Sequence, residues 1–570
     1  MTRTRPPAEQ PAPSAPAPGP STSSSASTPT TPARVAFVGS GPGDPGLLTL
    51  RGRDLIASAD VVILDRVTRE SDVRRHARED VEIVDAGHGE QGQELTQAVR
   101  AKLLVRAAKS VGPTGLVVRL MDGDPATFNG LLDEVRACRK AGLSFDVVPG
   151  VSAVTAGPTY AGVPLTARAG GALHVLSVDR SAVDYTAYAS VDDTVVLVGA
   201  PEMIRRGLAG LLAAGRPAES PVALSERATT VEQVSTTTTL GAVERFFEDA
   251  GAAAVRTPGD DGAGVTLAIV SPNVDLREEF AWFETKPLFG WKVLVPRTQA
   301  QAGSMIDRLA GYGATADVVP TISVEPPRTP QQMEKAVKGL VTGRYEWVGF
   351  TSVNAVRAVR ERFEEFGLDA RAFAGLRIAA VGGVTAAALR EWGINPDLVP
   401  SAEQSAAGLL EDWPPFDEVL DPINRVLLPR ADIATETLVA GLREMGWEVD
   451  DVTAYRTVRA APPASEIRDA IKGGDYDAVV FTSSSTVRNL VGIAGKPHPA
   501  TVVACIGPAT AKTAQEHGLR VDVLAPEASA VSLVDALAGH GVGLAVAAAE
   551  AGQPVQRPSD QRPASRRRAR

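Results

Sequence analysis

At 570 residues, 44% apolar and 22% charged, the chain has the balance of a globular protein and exceeds the roughly 100–200 residues of one ordinary domain, so three or more lobes are expected. A formal net charge of −10 excludes a general nucleic-acid binder, which needs a basic face, and any anionic substrate must find local arginine clusters. The two cysteines, Cys138 and Cys505, lack any CxxC or Cys/His spacing, which excludes a disulfide framework and a zinc site; no metal is expected, and both read as buried small apolar residues.

No run approaches the roughly 20 apolar residues that span a bilayer, and no apolar secretion core opens the chain. The expectation is a cytoplasmic protein with no membrane part. Residues 1–33 are almost entirely Pro, Ala, Ser and Thr, which bury too little apolar surface to offset ordering entropy, and they read as a disordered tail. From there apolar runs of strand length alternate with helical patterns. VAFVG, VVILD, LVVRL, FDVVPG, TVVLVG and VTLAIV fall in the first half, and KVLVPR, WVGFTS, RIAAVG, RVLLPR, AVVFTS and VVACIG in the second. Continuous Val/Ile runs separated by helices predict mostly parallel sheets covered on both faces, an α/β protein throughout.

Between the halves, residues 281–291 concentrate Trp282, Phe283, Phe289 and Trp291 in a chain that is 5% aromatic. Flexible linkers are Gly/Ser-rich, so a packed connector that fixes the orientation of the halves is expected here. The second half echoes itself: KVLVPR at Lys292 recurs as RVLLPR at Arg425, FTSVNAV at Phe350 as FTSSSTV at Phe481, and VGGVTAAA around Gly382 as IGPATAKT around Gly507. Three matches at nearly one offset predict a pair of similar lobes over 292–540. Residues 541–570, ending in SRRRAR, are expected to form a second, basic disordered tail.

The stretch VAFVGSGPGDPGLLTL, residues 35–50, places three glycines in five residues between a strand and a helical pattern. A dinucleotide fingerprint needs a third glycine where Asp44 stands, and a P-loop needs Gly-Lys-Ser/Thr, which is missing. A carboxylate there would repel a pyrophosphate, which sets NAD and ATP aside. Together with DVVILDRVT (60–68), VVRLMDGDP (117–125) and VVPGVSAVTAGPTYAGVPLT (147–166), the loop resembles the tetrapyrrole methylase family over about 34–272, and within it the uroporphyrinogen-III C-methyltransferases. About residues 290–540 resemble the uroporphyrinogen-III synthases through the paired FTS and TA motifs and TAYRT at 453–457.

The resemblance implies a two-lobed α/β methylase domain over 34–280, followed by a bilobed parallel α/β synthase domain over 292–540. For the first half it implies S-adenosylmethionine as cofactor and two methyl transfers onto uroporphyrinogen III, giving precorrin-2 in the sirohaem and cobalamin branch. Asp65 would then be the proton acceptor, and Pro42, Asp122, Gly123, Asp124, Thr127, Ser152, Ala153, Val198 and Ala228 would surround the cofactor. The chain departs from the family pattern at several places: Asp122 replaces the first glycine of the cofactor loop, Val198 a methionine, NGLLDE the usual FGRGGEE, and Ala86 a lysine proton donor.

For the second half the resemblance implies closure of hydroxymethylbilane with inversion of its last ring, without cofactor, and Tyr455 assisting departure of the hydroxyl. Thr351, Ser352, Ser483 and Ser484 follow strands and open helices, Thr385 and Thr510 follow strand-end glycines, and Arg297 and Arg430 close two strands in Pro-Arg. On these strand assignments all eight sit at carboxyl ends, where parallel sheets bind ligands, and they read as contacts for the substrate's carboxylates. Helix capping accounts equally well for the Ser and Thr residues. Two alternatives stand beside a bifunctional enzyme: a monofunctional synthase carrying a non-catalytic docking domain, and a solute-receptor-type binding protein. The resemblance also implies a homodimer joined through the first half.

Overall fold

β-branched and aromatic runs such as Val35–Val38 and Val61–Ile63 bury every side chain, which suits central strands flanked by helices on both faces. The computed structural model describes residues 33–66, 68–89, 93–166, 171–178, 183–249 and 265–561, so the tail expected at 1–33 lies outside the described residues up to residue 32. The chain divides into two compact units, 1–282 and 283–570. All twelve apolar runs picked out in the sequence are strands.

In the first unit, β1 (Arg34–Gly39), β2 (Val61–Leu64), β3 (Glu82–Asp85), β4 (Leu116–Met121) and β5 (Ser144–Val148) form a parallel sheet in the order β3-β2-β4-β1-β5. Successive residues serve opposite faces, as a strand requires. Val35 and Phe37 pack with Leu104 on one side, and Ala36 and Val38 pack with Ile56 on the other. A second sheet, β6 (Leu173–Ser177), β7 (Thr194–Val198), β8 (Pro221–Ala228), β9 (Val234–Thr239) and β10 (Val265–Val270), has the order β6-β7-β10-β8-β9. Only its β6–β7 pair is parallel. The parallel expectation fails in this lobe because five residues join β8 to β9, far fewer than a parallel crossover needs.

The second unit has two sheets. β12-β11-β18-β19-β20 is wholly parallel, from β11 (Lys292–Val295), β12 (Thr315–Val318), β18 (Ala478–Phe481), β19 (Val502–Cys505) and β20 (Val523–Leu524). β13-β17-β16-β14-β15 uses β13 (Ile322–Glu325), β14 (Trp347–Phe350), β15 (Arg377–Ala380), β16 (Arg425–Ala431) and β17 (Glu448–Arg459), with β13 antiparallel to β17. The two copies of the sequence echo do not form one lobe each. β11, from the first copy, pairs with β18 from the second, while β16 from the second pairs with β14 from the first.

The tail expected from residue 541 is corrected. Helix Ala530–Glu550 continues past it, and beyond it Arg557 donates to the Gly290 carbonyl at 2.9 Å and the Ser559 amide to Asp477 at 3.0 Å. An Ala- and Gly-rich sequence carries little helical periodicity, which hid this helix. By length and composition it is also apolar enough to cross a membrane, contrary to the reading of the sequence. Its Leu533, Val534 and Leu537 belong to the core around β11, and Asp535 pairs with Arg308 at 2.5 Å.

Candidate functional site

In the first unit the carboxyl ends of β1, β4 and β5 meet backbone to backbone. Gly123 N donates to Gly41 O at 2.8 Å and Gly41 N to Gly123 O at 3.3 Å. A Cβ on Gly39 would lie 2.5 Å from Gly150 Cα, and one on Gly150 2.2 Å from Gly123 O, so no side chain fits at either. Gly123 (φ +66°) faces Ala153 N and Ser152 Cα, 3.6 and 3.8 Å from where its Cβ would stand. Ser152 caps helix Ala153–Tyr160, accepting from Val154 N at 3.3 Å.

The second sheet closes this cluster from the other side. A Cβ on Gly43 would lie 2.7 Å from Thr230 Cγ2 and 3.3 Å from Ala228 O. Thr229 Oγ1 accepts from Asp44 N at 3.3 Å while its backbone holds φ +69°, a conformation a β-branched residue adopts only when its surroundings impose it. Pro42, buried between Gly41 and Gly43, thus comes together with Gly123, Asp124, Ser152, Ala153 and Ala228. Val198 ends β7 and packs half-buried against the cluster that holds Ala228.

Several predicted contacts turn inward. Asp124 accepts from Ala126 N (2.9 Å) and Thr127 Oγ1 (3.1 Å) with Oδ1, and from Gly150 N (3.0 Å) with Oδ2, so both residues brace the loop. Asp44 likewise accepts from Gly46 N and from the Tyr160 hydroxyl, each at 2.7 Å, and burial with this carboxylate pushes the Tyr160 phenol up. Asp122, which departs from the family's glycine, lies 4.0 Å from Arg66 Nε.

Asp65, expected as the proton acceptor, is 5% exposed, and both its oxygens are occupied. Arg100 Nη1 reaches Oδ1 and Arg119 Nη2 reaches Oδ2, each at 3.2 Å, while the fully buried Arg119 also holds Glu134 at 3.0 Å. Buried charges persist only when paired, and this network ties β2 to β4 behind the cleft. In this arrangement Asp65, expected as the proton acceptor, is held between two arginines. Ala86, at the lysine position, is fully buried in the core with Phe37 and Leu104.

An open cleft lies at this end of the sheet, lined by Ser40, Gly41, Gly43, Thr68, Asp72 and His76 among others. Burial pushes the Asp72 carboxyl up, against the lowering influence of Arg75, Arg69 and His76. Reading the sequence missed Asp72 and His76 because they stand in RESDVRRHARED, whose charge density reads as a solvated face.

In the second unit the predicted residues divide between the lobes. Ser352 caps helix Val353–Glu365 and its Oγ lies 3.0 Å from the hydroxyl of Tyr455, which β17 supplies; Thr351 precedes it, half-buried. In the other lobe Ser483 caps helix Ser484–Ala494 in a capping box with Thr486, and Ser484 Oγ donates to Ala509 O at 3.0 Å. Thr385 and Thr510 occupy the first turns of helices Gly383–Glu391 and Pro508–Glu516, 6% and 4% exposed.

Arg430 is corrected as a substrate contact. It is 4% exposed, donates from Nε to Asp451 Oδ1 at 2.7 Å, bonds the same carboxylate through Nη2, and donates to Thr435 O. Arg297, its counterpart in the echo, follows β11 half-buried, and its guanidinium has no hydrogen-bond or ion partner among the described residues; burial pushes it down.

The comparisons with known proteins divide at the same place. Residues 34–244 match the family model described as Tetrapyrrole (Corrin/Porphyrin) Methylases, and residues 303–535 match Uroporphyrinogen-III synthase HemD. A porphyrin biosynthesis protein HemD of Ruminiclostridium josui is 29% identical over 89% of this chain and 98% of its own. Siroheme synthase 1 of Klebsiella pneumoniae subsp. pneumoniae is 36% identical over 44% of this chain, which spans only 51% of that protein. A crystal structure of uroporphyrin-III C-methyl transferase from Thermus thermophilus, complexed with S-adenyl homocysteine, is 31% identical over 43% of this chain and 99% of its own, with a TM-score of 0.34.

Proposed function

Because the chain belongs to the tetrapyrrole methylases through its first half and to the uroporphyrinogen-III synthases through its second, it is a fused enzyme of tetrapyrrole biosynthesis, and we propose that it closes hydroxymethylbilane to uroporphyrinogen III and methylates that product to precorrin-2. The observation that supports this reading is that each half brings its expected residues together, the Gly41 and Gly123 loops in the first and the Ser352 helix cap against Tyr455 of β17 in the second.

The first half would hold S-adenosylmethionine at Pro42, Gly123, Ser152, Ala153 and Ala228. The fit rests on glycines that let backbone amides and carbonyls approach a ligand closely, and on a helix N-terminus at Ser152 that offers free N–H groups. The carboxylates of Asp72 and Asp122 suit a cofactor bearing a positive sulfonium better than a polyphosphate. When bound, this cofactor supplies an electrophilic methyl group. The protein's task is positioning, since a pyrrole carbon is already electron-rich. Arg66 offsets the charge that Asp122 adds to the loop.

In the second half, the Tyr455 hydroxyl, held by Ser352, gives a proton to the substrate's departing hydroxyl, which leaves as water. The resulting cationic chain end closes on the last pyrrole. Arg297, whose guanidinium lacks a protein partner among the described residues, takes a substrate carboxylate, and the capped helix starts at Ser352 and Ser483 hold others, fixing the folded shape from which the inverted isomer forms.

Freshly generated hydroxymethylbilane, given to the purified protein with and without S-adenosylmethionine, tests both activities at once. Isomer III without cofactor, and precorrin-2 absorbance only with it, is the expected result. Isomer III formation with no precorrin-2 absorbance even when the cofactor is supplied favours the docking-domain alternative.

A further inference from the structure

We infer that Asp72, with His76 beside it in the cleft, is the acid–base group of the methylase half, in the place expected of Asp65 and of the lysine that Ala86 replaces. The inference rests on the methyl-transfer reading above. When a pyrrole carbon forms a carbon–carbon bond to a methyl group with its own π electrons, the sulfur–carbon electron pair stays with the departing thioether and the ring is left with an excess positive charge. That charge is discharged by loss of a proton from the ring N–H or an adjacent bridging CH2, whose bonding pair returns to the ring. The proton needs a base that reaches the cleft and has a lone pair to spare.

Of the other carboxylates at these strand ends, three fail that requirement. Asp44 has its oxygens bonded to Gly46 N and the Tyr160 hydroxyl, Asp124 to Ala126 N and Gly150 N, and Asp65 is buried between Arg100 and Arg119. Asp122, 4.0 Å from Arg66 Nε, is not among the residues that line the cleft. Asp72 lines the cleft and, among the described residues, accepts no hydrogen bond and has Arg75, at 3.9 Å, as its ion-pair contact. The charged and titratable groups that act on it are Arg75, Arg69 and His76 from its own segment and Asp44 from the β1 loop across the cleft. Burial raises the Asp72 carboxyl, which makes it a better proton acceptor than an exposed aspartate. His76 lines the same cleft and is partly exposed, so it offers the proton a way out to solvent.

The test compares the full-length enzyme with Asp72→Asn and His76→Gln. Methylation by the unsubstituted enzyme should rise with pH as Asp72 ionises and then level off. Asp72→Asn should lower kcat by about 100-fold and erase that rise, with KM and S-adenosylhomocysteine affinity by calorimetry within about twofold; His76→Gln should cost about tenfold. A readout independent of turnover is the binding of uroporphyrin, an oxidised ring with many carboxylates, followed by its fluorescence. Removing the Asp72 charge should tighten that binding several-fold at pH 8, with the gap closing as pH falls and Asp72 protonates. Asp72→Asn with normal kcat and an intact pH rise, or with unchanged uroporphyrin affinity at every pH, overturns the inference. An unsubstituted enzyme that binds neither S-adenosylhomocysteine nor uroporphyrin overturns the methylase reading itself.

Discussion

Arg297 and Arg430 close the same Pro-Arg motif at the ends of β11 and β16, in matching places of the sequence echo. Their environments have diverged completely. Arg430, on the central strand of its sheet, is locked to Asp451 of the neighbouring strand, whereas the Arg297 guanidinium has no partner among the described residues. The first unit repeats the contrast with opposite charge: Asp65 is committed to two arginines, and Asp72 is not. A charge at a strand end is available to a ligand only where the protein has left it unpaired, so partner lists discriminate between equivalent positions better than motif does.

The largest effect separating the two arginines should be on stability. Arg430→Met leaves the Asp451 carboxylate without its bidentate partner. Removing one member of a buried ion pair costs about 3–5 kcal/mol, and because Asp451 is a third exposed we expect about 2–3 kcal/mol in urea unfolding. Arg297→Met removes a half-buried guanidinium with no ion partner among the described residues and should leave stability unchanged or slightly raised. A reversed order would break the comparison.

On activity the order should invert. A hydrogen bond to a charged group contributes about 1.5–3 kcal/mol, so Arg297→Met should raise KM for hydroxymethylbilane by roughly 10–100-fold while kcat changes little. Tyr455→Phe should do the reverse, lowering kcat about tenfold at near-constant KM, because a hydroxyl that assists departure acts only in the transition state. Unchanged turnover in Tyr455→Phe removes it from the chemistry and leaves it a packing partner of Ser352.

Much of the fold was legible because buried parallel strands read as unbroken apolar runs; β1, β2, β14 and β18 are of this kind. β9, VSTTTT, was not legible, since a half-exposed edge strand carries polar residues that resemble a loop. The echo over 292–540 was visible, but the exchange of β11 and β16 between lobes was not, because strand pairing depends on tertiary contacts that similar strands make equally well. At the strand ends, turns and caps were readable: Gly41 bonds Gly123 backbone to backbone, and Ser152 and Ser352 cap the helices that follow their strands. The burial of Asp65 and Arg430 depended on Arg100, Arg119 and Asp451, distant in sequence and unremarkable alone.

The smallest effect concerns the two cysteines, one in each unit. Cys138 and Cys505 are fully buried, and burial pushes each thiol up to about 11. The thiolate is the reactive form, and at pH 8 a group titrating there is only about a thousandth ionised. Both should therefore resist thiol reagents in the folded protein, reacting at least about 100-fold more slowly than an exposed thiol, and both should label at once in denaturant. Because the folded rates then depend on opening, mass spectrometry of the two labelled peptides reports on each unit separately. Rapid labelling of Cys505 at pH 8 without denaturant would mean that the β18–β19 core opens readily, and the stability difference expected between Arg430 and Arg297 would then have to be measured against a looser second unit than its packing indicates.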